Sequence, residues 1–158
     1  MLYLHICPRT STNGVVLYSA VIFEKEGVPP SKIFVHETKK HPNQFINVLR
    51  NIKFGLESCY ELYQMGDLID QQICIVTNNQ TVVTWFKKRS APATYIEDFE
   101  ILFSIMEMLP IRNLAITSDK LCLAKKYAIK SNITSSDLTE EDIAEETFVS
   151  FTTILNRD

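Results

Sequence analysis

Apolar and polar positions along this chain alternate at first, then change period, then do both in turn. Residues 2–7 (LYLHIC), 15–24 (VVLYSAVIFE) and 32–38 (KIFVHET) are short, β-branched or alternating runs, the signature of strands. Turn-forming segments separate them. Residues 8–14 end in Asn13-Gly14, a strong hairpin signal, and residues 25–30 hold Gly27, Pro29 and Pro30. Strands on such short loops predict an antiparallel meander. From Pro42 to about Met65 the spacing becomes helical. Phe45, Val48, Leu49, Ile52, Leu56, Cys59, Tyr60 and Tyr63 recur at three- and four-residue steps, and Gly66 stops the run.

Residues 72–86 then combine both periods. Ile73-Cys74-Ile75-Val76 is the uninterrupted apolar run of a strand buried on both faces. Val82, Val83, Trp85 and Phe86 have helical spacing, and Thr77, Asn78 and Asn79 between them suit a strand exit and a helix N-cap. A central strand feeding a helix sets Asn78 at the carboxyl end of the sheet, where open α/β folds build their sites. This helix ends in Lys87-Lys88-Arg89, and Pro92 marks a break. Thr94-x-x-Glu97 reads as a capping box before a helix through about Leu109, with Ile96, Phe99, Leu102, Phe103 and Met106 on its apolar face. Residues 113–117 predict a fifth strand and 120–130 a further helix. From Ser131 the chain turns polar, then acidic over 140–146, then apolar over 147–155. The expectation is one domain over 1–130. A tail over 131–158 packs on it or extends from it, with a helix starting near Ser136 or Thr139 and an extended piece after it.

The order is βββ-α-β-α-α-β-α. It predicts an α/β fold: a mixed five-stranded sheet, three antiparallel strands and then two parallel, with helices on both faces. At 158 residues with 46% apolar and 22% charged positions, the chain can bury a real core. A net charge of −3 and a pI of about 5.6 weigh against nucleic acid as the main partner, which needs a basic face. No apolar run approaches the roughly 18–20 residues of a membrane span, and residues 1–7 lack the basic start and cleavage site of a signal peptide. Cys7, Cys59, Cys74 and Cys122 are far apart, and Cys7, Cys74 and Cys122 lie in apolar surroundings. They read as reduced, buried thiols of a cytoplasmic, reducing compartment. His36 and His41 have no second ligand at a helical step, so neither predicts a metal site, and His36 suits a strand surface.

Residues 75–86 (IVTNNQTVVTWF) resemble the type I ribonuclease H domain, which reads apolar-x-Thr-Asp-Ser-x-x-Val-apolar-x-Trp-apolar at the corresponding place. Residues 2–7 resemble that family's first strand, and residues 13–17 (NGVVL) the Gly-rich start of its second. The resemblance covers about residues 2–129 and implies a ribonuclease H-like fold. Active members hold two Mg²⁺ ions with carboxylates from the first strand, the long helix and the fourth strand; one ion activates water and the other stabilises the leaving oxygen. Carried over residue by residue, the resemblance sets His5 at the first-strand Asp, Asn47 at the helix Glu, Asn78 at the fourth-strand Asp, and Asp119 at a later acidic position. Two amides and an imidazole do not supply the charge that two divalent cations need.

The resulting expectation is a catalytically inactive ribonuclease H-like domain without cofactor. It acts as a protein-binding adaptor or inhibitor, in a nucleic-acid-processing complex or as a viral or phage accessory protein. Two rivals stand beside it. One is a divergent Mg²⁺-dependent nuclease using Glu57, Glu61, Asp70 or Asp119. The other is a non-catalytic nucleic-acid-binding module, for which Trp85, Lys87, Lys88 and Arg89 are the candidate contacts. Those cations also suit a plain helix C-terminus, with Trp85 in the core. In the tail, Phe148, Phe151, Ile154 and Leu155 are candidate partner-binding anchors beside the acidic run.

Overall fold

The strands assemble as their alternation predicts. A computed structural model describes residues 1–10, 13–25, 27–67, 72–110, 113–119, 122–127, 134–135 and 148–150. In chain order the elements are β1 (Leu2–Ile6), β2 (Arg9–Thr10), β3 (Val15–Phe23), β4 (Lys32–Lys39), α1 (Gln44–Gln64), β5 (Gln72–Thr77), α2 (Gln80–Lys88), β6 (Ser90–Pro92), α3 (Ile96–Met108), β7 (Asn113–Ser118), α4 (Ala124–Tyr127), β8 (Thr134–Ser135) and β9 (Phe148–Ser150).

The long strands lie in the order β4-β3-β1-β5-β7. β3 is antiparallel to both β4 and β1, whereas β5 is parallel to both β1 and β7. This is the expected five-stranded mixed sheet. Two short strands extend it beyond expectation: β2 pairs with β3, and β8 with β2. Strands of two residues are too short to show any alternation in a sequence. β6 and β9 form a separate antiparallel pair, so the extended piece expected in the tail is present at Phe148–Ser150. The helix expected near Ser136 or Thr139 lies outside the described residues.

The pleat sends successive side chains to opposite faces. Leu2, Leu4 and Ile6 of β1, with Ala20, Ile22, Ile73 and Ile75, join the main apolar cluster built with α1, α2 and α3. Val21 and Phe23 point the other way, into a small cluster with Cys7, Cys122 and Ala124 that Tyr3 borders. Each large side chain buried in either cluster contributes about 1.5–3 kcal/mol.

Local chemistry sets the helix ends. The Asn43 side chain accepts from the amides of Phe45 and Ile46 and starts α1, and Asn79 accepts from Val82 N at 2.9 Å and starts α2. Gly55 lets the middle of α1 lie against β1, because a Cβ there would stand 3.1 Å from Ile6 and 3.2 Å from Leu4. The capping box expected at Thr94 and Glu97 does not form. Residues 93–95 already make a 3-10 turn, and α3 starts behind Tyr95 with no side-chain cap. The helix expected over 120–130 is described only as α4, with residues 122–123 preceding it in non-helical backbone.

Candidate functional site

β5 and β7 end in register, Thr77 opposite Ser118, and the Asp119 amide continues the ladder by donating to Thr77 O at 2.8 Å. Asn78 and Asp119 are therefore the next residues to leave the two strands, at the carboxyl edge of the sheet. Asn78 is half-buried and Asp119 exposed. The Ser118 hydroxyl donates to Gln80 Oε1, tying this edge to the first turn of α2. Cys122 reaches back beneath it, its sulfur 3.4 Å from Ile6 O and 3.5 Å from Val76 O.

On the face that carries α4, Tyr3, His5, Phe23, Cys74, Val76 and Asp119 line a cavity of about 480 Å³. His5 is buried beside Val76, its ring edge-on to Phe23 at 4.9 Å. Its Nδ1 accepts from Leu123 N at 3.2 Å, which fixes the ring orientation. Burial lowers the His5 pKa below its ordinary value of 6.5, and the Asp119 charge works against that shift. The structure therefore brings His5 and Asp119 together.

Asn47 does not join them. It sits on α1, which packs on the opposite face of the sheet from His5. Asn47 Oδ1 accepts from the Tyr18 hydroxyl at 3.2 Å and from His41 N at 3.1 Å, while Nδ2 donates to His41 O at 2.9 Å. Its amide locks the loop between β4 and α1 in a buried position. The expected grouping of His5, Asn47, Asn78 and Asp119 is corrected accordingly: strand alternation sends His5 away from α1. One helical turn later Asn51, which the sequence reading passed over, accepts from Ser19 N at 3.1 Å and donates to Ser19 O at 2.7 Å. The pair at positions 47 and 51, four residues apart on an apolar stripe, was the available signal.

A pair of divalent cations needs several anionic oxygens in one place. At the carboxyl edge the described residues offer the Asp119 carboxylate and the Asn78 amide. Among the described residues no three of His, Cys, Asp and Glu are grouped so as to hold a metal. Glu57 lines a separate groove between β4 and α1 with Lys39, Arg50 and Lys53, and Glu61 lies exposed farther along α1. Asp70 falls outside the described residues. The described donor set does not fit a metal pair.

The other sequence candidates are dispersed. Trp85 is no surface contact: it is buried, stacked on Tyr95 at 5.1 Å and packed on Phe45 at 5.0 Å. Lys87 and Lys88 are exposed in the last turn of α2, and Arg89 ends the helix in the left-handed region at φ 54°. His36 is exposed and stacks on Phe54, while His41 Nδ1 accepts from Asn43 N at 2.8 Å. All four cysteines are buried thiols, and burial pushes the Cys59 thiol up to about 12. Phe148 belongs to β9, opposite Pro92 of β6; Phe151, Ile154 and Leu155 lie outside the described residues. No helix among the described residues is long and apolar enough to cross a membrane.

No family model matches the chain, and no curated protein matches it. Solved structures do. LC11 ribonuclease H1, crystallised with an RNA/DNA hybrid, superposes with a TM-score of 0.63 at 17% identity, over 84% of this chain and 94% of that one. Ribonuclease H1 of the halophilic archaeon Halobacterium salinarum gives 0.60 at 10% identity, over 84% and 93%. An N-terminal ribonuclease H domain from Mycobacterium tuberculosis, solved as a fusion with maltose-binding protein, gives 0.59 at 11%, over 79% and 86%. Identities this low establish a shared fold and leave chemistry to the residues of the site. The mixed sheet, its strand order and these superpositions together identify the chain as an α/β protein of ribonuclease H-like fold.

Proposed function

We propose that this chain is a catalytically inactive ribonuclease H-like domain that works by binding a protein partner, as an adaptor or inhibitor. Its setting is a nucleic-acid-processing complex or a viral or phage accessory role. The observation that carries the reading is the donor set at the carboxyl edge, where Asn78 and Asp119 follow the ends of neighbouring strands and, among the described residues, no three of His, Cys, Asp and Glu are grouped to hold a metal. The engagement of Asn47 by Tyr18 and His41 adds to it. The reading calls for no cofactor; Mg²⁺ belongs to the rival nuclease.

The test has two arms. Calorimetric titration with Mg²⁺ and Mn²⁺, with a cleavage assay on RNA/DNA hybrid and single strands, is expected to give neither binding nor cleavage. Size fractionation of native cell extract is expected to find the chain in a stable complex above its monomer mass. Metal-dependent cleavage by a free monomer overturns the reading.

A second reading, nucleic-acid binding without catalysis, is favoured by one observation: Lys39, Arg50 and Lys53 line the groove between β4 and α1. The LC11 relative was itself solved with a hybrid. Binding of that kind weakens steeply with salt, because each neutralised phosphate releases a counterion. Undetectable or salt-insensitive binding to RNA, DNA and hybrid removes it.

A further inference from the structure

The cavity on the α4 side has a composition that the binding of a macromolecule does not require. Its volume of about 480 Å³ lies in the range of small-molecule sites, about 300–1,000 Å³. Its floor is ordered by strand register: Tyr3 lies beside Cys74, and His5 beside Val76, with Thr117 next in the same row. Three rings border it, those of Tyr3, His5 and Phe23, the last two packed edge to face. His5 is held in a single orientation because Nδ1 is occupied by the Leu123 amide.

Among the described residues of the lining, the Asp119 carboxylate carries the formal charge, and it lies at the polar end with Ser118. Aromatic faces attract cations through their quadrupoles, and a carboxylate at the edge of an apolar cleft adds to that attraction while repelling anions. A neutral ligand gains from the floor alone; a cation gains from floor, rings and carboxylate together.

We propose that this cavity binds a small organic cation, an apolar or aromatic body bearing an ammonium group, with the charge beside Asp119 and the body against Tyr3, Phe23 and Val76. The site lies across the sheet from Asn47 and the α1 surface, and it stands independently of the proposed partner-binding role.

The experiment titrates the isotope-labelled full chain with three probes of one shape, benzylammonium, benzyl alcohol and benzoate, followed by backbone amide shifts. Benzylammonium is expected to shift the amides of Tyr3, His5, Val76 and Asp119 saturably. Benzyl alcohol should bind about tenfold more weakly, for want of the charge interactions, and benzoate more weakly still. Asp119→Asn, at an exposed position, should bring benzylammonium down to the affinity of the alcohol, with amide shifts away from the cavity unchanged. Thr117→Phe, at an exposed lining position, should narrow the cavity and weaken both. Equal affinities for the three probes, the absence of saturable shifts, or benzylammonium binding that survives both substitutions overturns the proposal.

Discussion

Asn51 performs the work of a missing strand segment, and removing it should be expensive. β1 pairs with β3 as far as His5 opposite Val21, and β2 resumes with Arg9 opposite Leu17. Ser19 falls in the gap between them and is fully buried, as is Asn51. The Asn51 amide closes that gap by accepting from Ser19 N and donating to Ser19 O. Asn51→Ala strands both backbone groups out of reach of water, at about 1–3 kcal/mol each. The expected loss is about 2–6 kcal/mol, before any cost of the small void. For a chain of this size that corresponds to a fall in Tm of about 4–24 °C. Asn51→Asp should be no better at neutral pH, since it keeps the acceptor for Ser19 N but turns a buried carboxylate on Ser19 O. It should recover part of its stability in acid, where a protonated carboxyl can donate again. Urea denaturation measures the loss, and hydrogen exchange localises it, with Ser19 losing protection before its neighbours in β3. An alanine variant within about 0.5 kcal/mol of the parent, the range of ordinary surface substitutions, with the Ser19 amide still protected, would refute the reasoning.

Two further outcomes follow from the site. Restoring carboxylates with His5→Asp, Asn47→Glu and Asn78→Asp together should not create Mg²⁺ binding, because positions 5 and 47 lie on opposite faces of the sheet; Asn47→Glu alone should destabilise the chain by about 2 kcal/mol or more by breaking a buried network. A calorimetric Mg²⁺ site in the triple variant would contradict the assignment of faces. His5 has a lowered pKa in the fold, so between its folded and unfolded values the unfolded chain binds more protons. Its contribution is therefore complete above pH 6.5 and declines as the pH falls through that value toward the folded pKa. Chemical denaturation across this window should show a decline that His5→Gln abolishes; a slope of opposite sign would place the imidazolium in a stabilising pair instead.

What could be read along the chain was whatever repeats over many residues. The alternation in β3 and the eight helical-period positions of α1 survive any local ambiguity, and the mixed sheet follows from their order. β2 and β8 were illegible because two residues have no period. The Thr94–Glu97 motif misled because capping depends on where the chain enters the helix, and a 3-10 turn had already set that. Asn47 looked like a degraded ligand because its partner Tyr18 lies 29 residues away, beyond any local pattern. Trp85 beside a basic run allowed two readings, a binding element or a core residue at a plain helix end, and the core one holds: its ring stacks with Tyr95 of the turn after β6. The opposed facing of His5 and the α1 residues was within reach: Leu4 and Ile6 flank it, and both belong to the core that α1 covers.

The unequal division of the apolar interior has a consequence for how such a chain changes over time. The large cluster under α1, α2 and α3 holds most of the buried bulk, whereas the cluster under α4 is small and borders the cavity. Because neighbouring positions on one strand serve opposite faces, a replacement at Thr117, which alternates with Ile116 of the larger cluster, leaves that cluster undisturbed. Lineages that keep the α1 side should therefore be free to vary the other, exchanging one ligand preference for another while the architecture persists. Sequence divergence within such a lineage would then fall in an odd–even rhythm along β1 and β5, conserved toward the helices and variable toward the cleft.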